Sequence, residues 1–392
     1  MQTVLYLKYA ELTLKKKNRN DFIKLLNKNT KFALKDIKCN IKLNYDYGLI
    51  SEFEIDKLDE IISILKDIPG YQYLTIAQEI EKSWEKLEEF ILDNIVNFSK
   101  YKTFKVEAKR QDKSFPLNSM EIKQKIGGLV LKNLDKKIVV DVKNPQLEIN
   151  VEIKHNLILI FYKKVLCTPG LPVGSAKRII VLLSGGLDSP VASKLLLNRG
   201  SEIIFLTFIT PPHTCSESLE KIQKLSSIVT NKFKNSKNSK LLICNYTQVM
   251  HEISHISNEA YKITLMRRSF IRIALKIAKK YDCHAIATGE AIGQVASQTI
   301  ESLEVINNAA NGFLMLRPLI GFDKNTIIDF AKKFNTYETS IQNFPDSCSL
   351  FAPKNPVTKP KLEIAEQLEK ELDLLDVLEN KAFETIEEWK DD

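Results

Sequence analysis

The sequence predicts an α/β chain, with small α+β units in its front half and a doubly wound parallel sheet behind them. Three observations carry the prediction. From Ile179 onward, apolar runs alternate with helical-period segments, the rhythm of parallel strands joined by crossover helices. The first of those strands breaks into Ser184-Gly185-Gly186-Leu187-Asp188-Ser189, a turn of little bulk that opens a helix. Ahead of it, residues 3–80 follow the order β-α-β-β-α-β.

In order along the chain, Thr3–Tyr9 reads as a strand. Asn18 and Asn20 offer N-caps for a helix carrying Phe22, Ile23, Leu25 and Leu26. Lys38–Leu43 and Leu49–Ile55 alternate around the hairpin turn Asn44–Gly48. Asp56 can cap a helix through Ile61, Ile62 and Leu65, which Pro69-Gly70 stops, and Tyr71–Ile80 is again a strand. This is a ferredoxin-like unit, an order that assigns no function by itself. Ser83 caps a helix with Trp84, Leu87, Phe90, Ile91 and Ile95; Phe104–Lys109 is a strand, Asn118–Leu134 a helix, and Ile138–Asp141, Leu147–Ile153 and Leu157–Tyr162 are strands. That makes a second small α/β unit. Leu166–Ser175 is a Pro/Gly-punctuated linker. The expected division is 1–57 for the front of the ferredoxin-like domain (its last strand running to about 80), 58–165, a linker at 166–176, and 177–392.

Behind the glycine turn, Ile203–Phe208, Lys240–Cys244 and Ala285–Thr288 read as strands. Ser216–Phe233, Glu259–Tyr281 and Lys324–Phe334 read as helices, and Leu362–Trp389 as an acidic helical end. No run approaches about 18 apolar residues, so no membrane span is expected. The opening MQTVLYLKYAELTLKKK is not a secretory signal, and six dispersed cysteines without a CxxC pair suit a reducing compartment, so the expected location is the cytoplasm. The net charge of +8 is uneven: residues 1–50 carry 11 basic and 4 acidic side chains, and residues 101–150 carry 11 and 6. Basic faces ahead of a phosphate-binding domain suggest a polyanionic substrate; a merely solvated Lys-rich surface is the plainer alternative. Lys105, Lys109, Arg110 and Lys113 cluster at one strand and just beyond it, with Phe104 and Phe115 nearby, and could meet an RNA backbone. The plain reading of both phenylalanines is core.

Strand, glycine turn and helix together aim backbone N–H groups and a helix N-terminus at an anion. SGGxDS has the letters of the pyrophosphatase-type phosphate loop, the PP-loop; no Lys-Ser or Lys-Thr follows the glycines, so it is not a Walker A loop. Ligands of such a sheet belong at the strands' carboxyl ends. Phe208 stands there and could face an adenine or fill the core. Arg268 and Arg272 share a helical face, whereas Arg267 points elsewhere and could reach a phosphate; surface ion pairs are the plain reading for at least two of the three. Cys348, in a Pro-flanked loop, reads by spacing alone as a buried small hydrophobe.

Five segments together are more specific: ELTLKKKNRNDF at Glu11–Phe22, FKVEAKRQDKSFPLNS at Phe104–Ser119, LLSGGLDSPVAS at Leu182–Ser193, TGEAIGQVASQT at Thr288–Thr299 and DSCSLFAPKNPVTKP at Asp346–Pro360. Through them the chain resembles the tRNA 4-thiouridine synthetases, or tRNA sulfurtransferases, over nearly its whole length. The resemblance implies a ferredoxin-like domain, a THUMP RNA-binding domain and a PP-loop ATP pyrophosphatase domain. It implies ATP-dependent sulfur transfer to uridine-8 of tRNA through an adenylated uridine, with a persulfide on Cys348 as the sulfur source. A cysteine desulfurase would load that persulfide. ATP contacts would fall on Leu182, Leu183, Thr207, Phe208, Arg267, Gly289 and Gln298, with Ser184, Gly185, Gly186, Asp188 and Ser189 forming the loop and Asp188 helping to place Mg²⁺. Some members also thiolate the sulfur-carrier protein of thiamine thiazole synthesis, and a homodimer is left open. Some carry a C-terminal rhodanese domain with a second active cysteine; the chain stops at Asp392, which points to the form without one. Cys215 is then a candidate resolving thiol, with a spectator role the plainer reading. Two other readings stand beside this one: another PP-loop adenylating enzyme acting on tRNA, and a THUMP RNA-binding protein with a relic nucleotide site.

Overall fold

A computed structural model of the chain describes residues 1–134, 137–230, 239–344 and 353–389. It divides into two compact units, Met1–Gly170 and Leu171–Asp392. In the first, β1 (Gln2–Tyr9), α1 (Arg19–Ala33), β2 (Asn40–Leu43), β3 (Tyr47–Ser51), α2 (Leu58–Leu65) and β4 (Tyr71–Glu81) give the ferredoxin-like order. Then come α3 (Trp84–Asp93), α4 (Ile95–Phe98), β5 (Thr103–Arg110), α5 (Ser119–Asn133), β6 (Val139–Val140), β7 (Leu147–Ile153), β8 (Leu157–Phe161) and β9 (Val165–Leu166).

The two small front units share one sheet, ordered β2-β3-β1-β4-β8-β7-β5-β6, with β9 also pairing β4. The joint is β4. Its 11 residues are long enough to pair β1 along one edge and β8 along the other, both antiparallel. Beside that joint a charged cluster is buried: Lys154 Nζ stands 2.5 Å from Glu152 Oε2, and the Tyr6 hydroxyl donates to the same oxygen at 2.8 Å. Burial penalises the charge of Glu152, yet the Lys154 charge and these hydrogen bonds outweigh it and hold the carboxyl below its usual range. Caps differ in part from the sequence reading. Ser83 caps α3 through Lys86 N, and Asn118 with Glu121 closes a full capping box on α5. Asp56 caps nothing: it lies inside a 3₁₀ turn, Ile55–Lys57, that precedes α2. Asn18 holds the N-cap position of α1 without a side-chain bond.

The second unit runs β10 (Arg178–Leu182), α6 (Asp188–Asn198), β11 (Glu202–Ile209), α7 (Ser216–Thr230), β12 (Lys240–Asn245), α8 (Thr247–Ile253), α9 (Lys262–Lys280), β13 (Ile286–Ala287), α10 (Ile300–Asn308), β14 (Met315–Leu316), α11 (Lys324–Lys333) and α12 (Tyr337–Ser340). Two helices, Leu362–Lys370 and Leu375–Glu384, and a last strand, β15 (Glu387–Trp389), complete it. The sheet order is β14-β13-β10-β11-β12-β15, parallel except for β15, which runs antiparallel to β12. The acidic end is therefore not helical throughout. Glu387-Glu388-Trp389 is too short to show strand periodicity, and it is extended because β12 offers it an open edge. The chain reverses twice across the sheet, and β10 lies between β13 and β11 with Ile180 and Val181 fully buried. A strand so placed delivers its following turn to the middle of the carboxyl edge.

Candidate nucleotide site at the carboxyl edge

The glycine loop is fixed from inside. Ser189, 5% exposed, accepts at Oγ from Ser184 N–H at 2.9 Å, and its hydroxyl is 3.3 Å from the Ser184 carbonyl. This ties the first turn of α6 back to the end of β10 and leaves Gly185 and Gly186 at the tip. From the neighbouring strand, Gly289 closes on the same turn. A Cβ there would stand 2.7 Å from Ser189 N and 2.8 Å from Asp188 C, distances no side chain can occupy. Serine and glycine thus do separate jobs: one pins the loop, the other lets β13 approach it.

Polar groups ring the loop. Asp188 has both carboxylate oxygens engaged, Oδ1 by Lys324 Nζ at 2.8 Å and Oδ2 by Gln294 Nε2 at 2.8 Å. Lys324 opens α11, where Asp323 accepts from Asn325 N and Thr326 N. Glu290, 5% exposed, receives Arg267 Nη1 at 2.6 Å, Arg317 Nε at 2.8 Å and the Thr288 hydroxyl at 2.8 Å. Gln298 is buried and accepts from Ala291 N, which shapes the loop behind β13. On the apolar side Phe208 stacks on Phe270 with centroids 3.9 Å apart and planes at 11°, and Tyr246 meets Phe270 edge-on at 4.7 Å.

Asp188, Glu290, Gln298 and the aromatic side chains enclose, with their neighbours, a cavity of about 300 Å³. Leu182, Leu183, Ser184, Asp188, Ser189, Thr207, Phe208, Arg267, Gly289 and Gln298 all line it, so ten residues singled out in the sequence converge on one space. Gly185 and Gly186 stand at the loop tip rather than in its wall. Phe208 is half-buried, packed against the core and also lining the cavity. Lys324, Gln294, Glu290 and Arg317 were not singled out; each is a polar residue near a helix start or strand end, and only the folded loop shows which partner it meets.

The cations of α9 part company. Arg268 donates in parallel to both oxygens of Glu369 at 2.9 Å, and Arg272 grips Glu369 at 2.6 Å and Glu379 at 2.7 Å. Glu369 and Glu379 lie on the two C-terminal helices, and Arg268 and Glu379 are almost wholly buried. They form an internal clamp, not the surface ion pairs expected.

The candidate RNA-facing residues of β5 also divide. Lys105 and Lys109 alternate onto one face of the strand, where Lys105 is 3.4 Å from Glu107 and 3.8 Å from Glu148. Arg110 faces the other way and donates to the carbonyls of Phe115 and Leu117, holding the loop. Lys109 and Lys113 are exposed. Phe104 and Phe115 are both core. Cys348 lies outside the described residues. Burial pushes the Cys167 and Cys244 thiols up to about 12 and Cys283 up to about 11, and it raises Cys39. Cys215, at the start of α7, is 3.3 Å from the Ser218 hydroxyl. Among the described residues no group of three His, Cys, Asp or Glu side chains could hold a metal, and no helix is long and apolar enough to cross a membrane.

A PP-loop domain behind ferredoxin-like and THUMP domains defines the class of protein, and comparison with known families agrees segment by segment. Residues 4–74 match the ThiI ferredoxin-like domain, 81–163 the THUMP domain and 174–374 the family described as thiamine biosynthesis protein (ThiI). The chain is 46% identical over 379 residues to a "Probable tRNA sulfurtransferase" of Ureaplasma parvum, covering 96% of each. It is 43% identical over 390 residues to one of Malacoplasma penetrans, covering 99% of each. A solved 4-thiouridine synthetase–RNA complex with bound ATP superposes with a TM-score of 0.87 at 37% identity, covering 99% of both chains. The chain belongs to the tRNA sulfurtransferase family.

Proposed function

We propose that this chain uses ATP to transfer sulfur to uridine-8 of tRNA, giving 4-thiouridine. The observation that carries the reading is the convergence of the glycine loop, Gly289, Arg267, Gln298 and Phe208 on one cavity at the sheet's carboxyl edge. Its volume and its apolar wall with a few polar groups suit a nucleotide. The full-length likeness to a synthetase solved with ATP and RNA supports it.

The residues fit ATP. Phe208 and its aromatic neighbours would take the base, and the loop N–H groups with the N-terminus of α6 would take the polyphosphate. ATP supplies the adenylyl group that turns the uridine O4, a poor leaving group, into a good one. Lys324 screens Asp188 beside the loop, and Glu290 fixes Arg267 at the wall. Mg²⁺ would arrive on the phosphates, since both Asp188 oxygens are already engaged and no ready-made cage stands among the described residues.

Sulfur would come from a persulfide on Cys348, loaded by a cysteine desulfurase. Attack of its outer sulfur on C4 of the adenylated uridine would release AMP, and a second thiol or a reductant would then cleave the S–S bond to free the thiocarbonyl. That four other cysteines have thiols raised by burial supports this choice, because a raised thiol is a poor nucleophile at neutral pH. tRNA would be held in part by the basic THUMP face, through Lys109 and Lys113. The test is 4-thiouridine yield with each of the six Cys→Ser variants, ATP, tRNA, a desulfurase and cysteine. Cys348→Ser is expected to reduce the yield to background while adenylation of the uridine, with release of pyrophosphate, persists. Full thiolation by that variant would overturn the persulfide assignment.

A further inference from the structure

We propose that Lys221, on α7, is a phosphate-binding residue of this site. It would supply from a separate helix the lysine that a Walker loop carries in its own sequence and that this glycine loop lacks. The inference rests on the ATP reading above and adds a residue to it.

Lys221 is only 9% exposed, a rare state for lysine. Its side chain runs along the bare face of Gly185: Cδ, Cε and Nζ lie 3.4, 3.5 and 3.5 Å from where a Cβ on that glycine would stand. The ammonium is therefore held at the loop tip. It donates to the Gln342 carbonyl at 2.7 Å, and two residues earlier the Ser340 hydroxyl donates to the Gly186 carbonyl at 3.2 Å. One helical turn back, Ser218 lines the cavity, and so does the adjacent Ile222. The helix that carries Lys221 thus forms part of the cavity wall, while the Lys221 side chain reaches the glycine at the loop tip.

The chemistry asks for such a charge. Backbone N–H groups donate to phosphate oxygens but carry no net charge, and Asp188 places a negative one beside them that Lys324 offsets. An ammonium held at the tip can donate to the most highly charged part of the nucleotide, the pyrophosphate end that must depart. Lys221 also joins the loop to the segment at Gln342, so phosphate at the tip would be felt there.

The test is calorimetric titration of the full chain with inorganic pyrophosphate, ATP and AMP, for wild type, Lys221→Met and Lys221→Arg. Lys221→Met is expected to weaken pyrophosphate and ATP about tenfold or more, the usual loss for a charge-assisted bond, and to leave AMP within about twofold. Lys221→Arg is expected to recover most of the pyrophosphate affinity. Should the Met variant fail to melt cooperatively, Lys221→Gln, which keeps a donor for the Gln342 carbonyl, is expected to show the same split. Equal losses for AMP and pyrophosphate, or none for pyrophosphate, would overturn the assignment. Wild type binding neither ATP nor AMP would overturn the nucleotide reading and this inference with it; wild type binding all three with unaltered variants overturns the inference alone.

Discussion

Two stretches of cations look alike as sequence and behave differently in the fold. One is Lys105, Lys109, Arg110 and Lys113 around β5; the other is Arg267, Arg268 and Arg272 on α9. In each, some cations are spent inside the protein. Arg268 and Arg272 hold the C-terminal helices, Lys105 sits between two glutamates, and Arg110 holds carbonyls of its own loop. In each, others face outward from that framework: Arg267 at the cavity wall, Lys109 and Lys113 in solvent. Formal charge counts them all equally. What separates them is whether the fold brings a carboxylate or carbonyl to the guanidinium or ammonium, and those partners are mostly distant in the chain: Glu369 is 101 residues from Arg268.

The comparison is broken most forcefully at its buried end. Glu369→Ala is expected to destabilise the second unit by about 3 kcal/mol, because it leaves the buried Arg268 guanidinium without a carboxylate and Arg272 with Glu379 alone. The same pair gives a pH dependence of known sign. Burial alone would raise the Glu369 carboxyl, but Arg268 and Arg272 outweigh it and hold it below the usual glutamate range. A carboxylate with a depressed folded pKa contributes stability that is complete above its unfolded value. That contribution fades as the pH falls through the folded one. Thermal melts of wild type and Glu369→Gln should therefore converge on acidification from neutral pH to below the usual carboxylate range. A gap independent of pH would show that the clamp is packing rather than charge.

Arg267→Ala belongs to the other class and should behave oppositely. Glu290 keeps Arg317 and Thr288 when Arg267 is gone, so the melting temperature should move little. ATP affinity should fall about tenfold if the guanidinium meets a phosphate, the effect of one charge-assisted bond. Titration with ATP beside a thermal melt separates the two, and a large melting shift with unchanged affinity would move Arg267 into the structural class.

What could be read in the sequence follows the same division. The glycine loop was legible because its letters prescribe backbone geometry: an apolar strand, two residues without bulk, a helix start, and Gly289 where a Cβ would strike Ser189. The alternation of β5 and the capping residue Ser83 were legible for the same local reason. β15 was not, since a three-residue strand is extended only because β12 offers an edge. Nor was the continuous front sheet, which depends on β4 being long enough to pair on both sides. Asp188 was legible as part of a loop, but not as the partner of Lys324 and Gln294, 136 and 106 residues away.

The smallest expected effect sharpens the front half of the comparison. If Lys109 and Lys113 meet phosphates, changing both to Gln removes two contacts. The slope of log affinity for tRNA against log salt should then fall by about one unit for each. Lys105 already has Glu107 and Glu148, so Lys105→Gln should leave the slope nearly unchanged. It should instead loosen the strand pairing of β5 with β7, on which Glu148 stands, by a few tenths to about 1 kcal/mol, the usual range for a partly exposed pair. The measurement is tRNA binding by filter retention or fluorescence across a salt series, with urea melts of the same variants. A slope that falls with Lys105→Gln and not with the Lys109/Lys113 double change would reverse the assignment. The RNA-facing surface would then be the Lys105 end of that face, beside Glu107 and Glu148, where an ammonium can leave its carboxylate for a phosphate.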